Sequence, residues 1–121
     1  MGSRFSELVI DAANPEALAA FWCAVLGWRP TGRYPAPAAE IAGPDGGSPS
    51  ITFVPVPDEK WTKNRLHVDV NPVGCSQDEE VERLLGLGAR RVDVGQGEGK
   101  SWVVLADPEG NEFCVLRARA D

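Results

Sequence analysis

The chain has 121 residues, 43% of them apolar, which describes one globular domain with a real core and excludes a disordered segment. Lysine and arginine number 12 against 18 aspartate and glutamate, a net charge of −6, so no basic footprint marks a nucleic-acid or anionic-membrane partner. No apolar run approaches the roughly 18 residues of a membrane span, and the N-terminus lacks the apolar core of a signal peptide. Three cysteines, Cys23, Cys75 and Cys114, are odd in number and show no C-x-x-C spacing, which points to reduced thiols and a cytoplasmic setting. The single histidine, His67, excludes an H-E-x-x-H zinc motif and is the only base that a serine triad could use.

Residues 5–11 read as a strand, with Glu7, Val9 and Asp11 on one face and Leu8 and Ile10 on the other. A helix follows. Asn14 can cap it, Pro15 suits its first position, and Glu16 suits its positive end. Leu18, Phe21, Trp22, Val25 and Leu26 recur at helical spacing as the stripe that packs on Leu8 and Ile10, and Gly27 ends the run. Short strands are expected at 28–33, 38–42 and 50–56, with a turn at Gly43-Pro44-Asp45-Gly46.

The same order then repeats. Residues 65–71 alternate Leu66, Val68 and Val70 against His67 and Asp69, the pattern of a half-buried strand. Ser76-Gln77-Asp78-Glu79 forms a capping box opening a helix with Val81, Leu84 and Leu85 inward. Strands at 91–94, 101–106 and 112–117 follow, with the turn Asp107-Pro108-Glu109-Gly110 placed like the turn at Gly43. The glycine-rich run 95–100 precedes a strand rather than a helix, so it reads as a hairpin turn and not a phosphate loop. The pattern is strand–helix–three strands, twice over, which defines an α+β fold of two βαβββ units, one about 4–57 and one about 64–118.

This duplication resembles the vicinal oxygen chelate superfamily of glyoxalase I, ring-cleaving dioxygenases and bleomycin-resistance proteins, and most closely its small bacterial glyoxalase-like members. The residues carrying the resemblance are Asn14 to Trp22 running into Val25-Leu26-Gly27-Trp28, then Lys63-Asn64-Arg65-Leu66-His67, then Asp107-Pro108-Glu109-Gly110-Asn111-Glu112-Phe113. The resemblance implies that each unit curls into a half-barrel around a cleft and that two chains or two repeats pair; a homodimer is the expectation here. In metal-dependent relatives four ligands come from the first and last strands of the units. It places them here at Glu7, at Phe53 or its neighbour Thr52, at His67 and at Cys114.

Phe53 has no donor atom, and Cys114 is a soft donor where the resemblance implies a carboxylate, so the expected cofactor is none, with a divalent metal on Glu7, His67 and Cys114 as the alternative. His67 can equally be a hydrogen-bonded histidine lining a metal-free pocket, or a general acid–base group oriented by Glu7. Phe53, Trp61, Arg65, Trp102, Glu112 and Cys114 are the candidate ligand-binding residues, with Trp61 and Arg65 able to close over a planar ligand. The expected function is binding of a small aromatic or cationic molecule in the cleft without metal chemistry. The alternative is a divalent-metal lyase, isomerase or dioxygenase.

Overall fold

A computed structural model of the protein describes residues 1–47, 49–57, 60–92 and 101–117. The chain divides into two units, Met1–Glu59 and Lys60–Asp121. Each carries one four-stranded mixed sheet and one helix, the βαβββ order read from the sequence. In the first unit β1 (Glu7–Ala12) leads into α1 (Pro15–Leu26), followed by β2 (Arg29–Pro30), β3 (Ala39–Ala42) and β4 (Ser50–Pro55). In the second, β5 (Asp69–Val70) leads into α2 (Gln77–Leu87), then β6 (Arg90–Arg91), β7 (Val103–Ala106) and β8 (Glu112–Val115). The sheets have matching orders, β1-β4-β3-β2 and β5-β8-β7-β6, with the first strand of each unit parallel to the last.

The local signals act where the sequence put them. The Asn14 side chain accepts the Ala17 N–H at 3.2 Å, and Pro15 occupies the first turn where its missing N–H costs nothing. Ser76 and Glu79 close their reciprocal capping box on α2. Both helices end on a glycine in the left-handed region, Gly27 at φ 70° and Gly88 at φ 118°, a conformation that a Cβ would disfavour. The two turns also repeat: Gly46 N–H donates to the Gly43 carbonyl and Gly110 N–H to that of Asp107, each at 2.8 Å.

The core of the first unit sits between α1 and one sheet face. Leu18, Phe21, Trp22 and Val25 are buried, as are Ile41, Ile51 and Phe53, which pairing places on one face of β3 and β4. The helix packs chiefly on β4 and β3 and touches β1 less, so Leu8 and Ile10, expected beneath it, are only half-buried. In the second unit Val81 and Leu84 of α2 are buried, along with Leu105, Phe113 and Val115 of the sheet.

Two expectations need correction. Phe53 is not a cleft residue: it is fully buried on the helix-facing side with Ile51, and Thr52 takes the opposite face, because side chains alternate along β4. The strand expected over 65–71 contains only Asp69–Val70, and Leu66 is 81% exposed. Backbone pairing to β8 starts at the Val68 carbonyl, so the alternation at Leu66 runs on beyond the last sheet partner. The glycine-rich run at 95–100 lies outside the described residues, as does the end of the strand expected at 91–94.

Candidate functional site

The face of the second sheet opposite Phe113 and Val115 carries a cavity of about 330 Å3. Pairing explains which side chains reach it. Asp69 lies beside Cys114 across the parallel β5–β8 pair, and Val104 lies beside Cys114 across β7–β8. Stepping by two along each strand adds Trp102, Glu112 and Leu116 to the same face. His67, two residues before Asp69, and Lys63 complete the lining. The wall is therefore Trp102, Val104 and Leu116, with a few convergent polar groups, the usual make-up of a small-molecule pocket.

His67, Asp69 and Cys114 converge inside this cavity, with their donor atoms all within 4.8 Å of one another. His67 Nδ1 stands 4.0 Å from Cys114 Sγ and 3.8 Å from Asp69 Oδ1. Burial pushes the Cys114 thiol up, and the Asp69 carboxylate adds to this, while Lys63 opposes it. Glu112 plays a different part. Burial alone would raise its carboxyl, but the Asn64 N–H and the Lys60 ammonium, each at 2.9 Å, hold it below the usual carboxylate range. Both its oxygens are committed, so Glu112 anchors the 60–64 segment at the cavity rim.

The first unit presents a polar band on the corresponding sheet face. Glu7 accepts hydrogen bonds from the Thr52 and Tyr34 hydroxyls, and its charge pushes the Tyr34 hydroxyl up. Beside them lies Glu40, buried, accepting from Thr31 Oγ1 at 2.6 Å, Arg33 Nε at 2.6 Å and Ser50 Oγ at 2.7 Å.

Among the residues singled out in the sequence, His67, Trp102, Glu112 and Cys114 line one cavity. Glu7 lies in the other unit with its own partners, and Trp61, 88% exposed, and Arg65 are not part of the lining. Sequence reasoning missed Asp69, Lys63 and Glu40 as site groups. Asp69 was legible in principle, since it shares the alternation that placed His67. Glu40 sits in Ala-Glu-Ile-Ala, where nothing marks its partners in advance.

Two sheets of order 1-4-3-2, each backed by one helix, define the fold class of vicinal oxygen chelate proteins. The chain belongs to the family described as the glyoxalase-like domain, whose model matches residues 7–116. Solved structures agree on the fold. A glyoxalase/bleomycin resistance protein/dioxygenase family enzyme from Burkholderia phytofirmans is 21% identical, with a TM-score of 0.68 over 93% of this chain and 97% of the other. Fosfomycin resistance protein FosX from Mesorhizobium loti is 14% identical, with a TM-score of 0.69 over 98% and 95%. FosX from Listeria monocytogenes, solved with Mn(II) and a dihydroxypropylphosphonic acid, is 17% identical, with a TM-score of 0.66 over 98% and 93%. No curated protein matches the sequence. Among the described residues no helix is long and apolar enough to cross a membrane.

Proposed function

We propose that the protein binds a small aromatic or cationic molecule in the cavity of the second unit, as a binding protein of the bleomycin-resistance type. The observation that carries this is the cavity itself: about 330 Å3, walled by Trp102, Val104 and Leu116, with the Asp69 carboxylate exposed within it. An indole face and a carboxylate in one apolar site favour a planar cation, through stacking, cation–π attraction and charge. Trp61 and Arg65 supply further stacking groups beyond the lining. A planar cationic aromatic probe such as ethidium should quench tryptophan emission saturably, and neutral sugars should not. Trp102→Leu should weaken that affinity roughly tenfold, whereas Trp22→Phe, on the buried face of α1, should leave it unchanged. No saturable quenching across a panel of such cations, or an affinity indifferent to Trp102→Leu, would sink the reading.

A second reading is a divalent-metal lyase, isomerase or dioxygenase. The convergence of His67, Asp69 and Cys114 favours it. These three residues would hold the ion, which would supply a Lewis acid to polarise a bound oxygen. The cavity walls would orient a substrate beside it, and Lys63 at the rim would attract negative charge. The hard octahedral ion used with carboxylate ligands is a poor match for a set containing a thiolate.

The chain is further proposed to act in the cytoplasm as a homodimer. β1 is an edge strand of its sheet and exposes Val9, the kind of edge that a second copy covers. Sedimentation at micromolar concentration should give twice the mass of the chain; a monomer there removes this claim.

A further inference from the structure

We propose that the first unit carries a site of its own for a small carboxylate, formed by Arg29 and Arg33 at the β2 edge of its sheet. The proposal goes beyond the small-molecule reading and concerns a different cavity, of about 280 Å3. Arg29, Thr31 and Arg33 line it, with Pro30, Ala42 and Pro44 as apolar walls. Pairing explains how the polar groups meet. β2 runs antiparallel to β3 with Arg29 beside Ala42, and the Thr31 N–H extends that ladder to the Glu40 carbonyl at 2.9 Å. Side chains two apart share a face, so Arg29 and Thr31 stand with Glu40 and Ala42, on the side away from Ile41.

The two guanidinium groups are prepared differently. Arg33 is held in place: its Nε donates to the buried Glu40 at 2.6 Å and its Nη2 to the Gly46 carbonyl at 3.4 Å. Glu40 is itself fixed by the Thr31 and Ser50 hydroxyls, so this network orients Arg33 before any ligand arrives, and little ordering is left to be done on binding. The Nη1 amino group of Arg33 has no partner among the described residues, and neither has the Arg29 side chain. The donors that remain free on both groups line the same cavity.

Charge and shape set the class of ligand. Two arginines against Glu40 leave a single positive charge at the cavity, the complement of one carboxylate. The Asp45 carboxylate accepts the Gly47 N–H at 3.0 Å in the adjoining turn and weighs against a second negative charge, such as a phosphate brings. A guanidinium fork matches a carboxylate through two parallel hydrogen bonds. Pro30, Ala42 and Pro44 add apolar surface, which favours a small aromatic acid over a fully hydrated inorganic anion. The volume is that of a fragment-sized ligand.

The test is a titration of the nitrogen-15-labelled full chain with benzoate, followed by two-dimensional NMR. The Arg33 Nε–H peak and the amide peaks of Gly43 and Gly46 should shift together and saturate. Benzamide, the same ring without the charge, should leave them in place, and inorganic phosphate should bind more weakly than benzoate. Arg29→Gln removes an exposed side chain that nothing in the described fold engages, and it should weaken benzoate binding about tenfold. Arg29→Lys, which keeps the charge and loses the fork, should weaken it nearly as much. The rest of each spectrum reports that the variant is folded. Absence of saturable shifts, equal shifts with benzamide, tighter binding of phosphate, or shifts confined to the Val104 and Leu116 amides of the other cavity would each overturn the proposal. So would an Arg29→Gln or Arg29→Lys variant that binds benzoate like the parent.

Discussion

Replacing Phe21 by Ala lowers the stability of the protein by about 3–5 kcal/mol, the range for truncating a buried aromatic side chain. Phe21 is 5% exposed and meets Trp22 edge-on, with ring centroids 5.4 Å apart and planes at 88°. The cost has two parts. The ring's transfer from water is lost, and the space between α1 and the sheet cannot collapse, because Leu18, Trp22 and Val25 are held in place by the same helix. Denaturant unfolding of the variant should show a lower midpoint with an unchanged slope. A midpoint that barely moves would show that α1 is not docked through this residue.

Replacing Glu40 by Ala removes about 2–3 kcal/mol at neutral pH, because a buried carboxylate that satisfies several donors is lost. Ser50, 4% exposed, is the donor left without water, whereas Arg33, with its side chain 55% exposed, recovers hydration. Protonation reaches the same interactions. Burial by itself would raise the Glu40 carboxyl, but the Thr31 hydroxyl, Arg33 guanidinium and Ser50 hydroxyl together hold it below the usual carboxylate range. A group depressed in the folded state contributes stability that is complete above its unfolded value and is lost as pH falls through the folded one. The difference in thermal midpoint between the parent and Glu40→Ala should therefore be largest near neutrality and shrink in acid. A difference independent of pH would remove Glu40 from the account of acid sensitivity.

The sequence by itself determined the elements that local chemistry dictates. Asn14 with Pro15, the Ser76–Glu79 capping box, and Gly27 and Gly88 mark helix ends because the groups they satisfy lie within four residues. The duplication was equally legible, since repeated order needs no knowledge of packing, and it led to the family that the comparisons support. Alternation set His67 opposite Leu66, Val68 and Val70, and at Trp102 it left two faces open.

Only the tertiary structure decided which strand faces which neighbour. Whether Phe53 or Thr52 meets the helix depends on the register of β1 against β4, which a shift of one residue reverses. Leu66 carries a strand-like pattern yet has no sheet partner among the described residues, where pairing begins at Val68. The joining of Asp69 to Cys114, 45 residues apart in sequence, is a consequence of parallel pairing between the first and last strands of one unit. Hydrogen bonds across a sheet connect residues distant in the chain, and no local spacing records them. The three-donor centre of the second unit and the Glu40 network of the first both depend on such pairings.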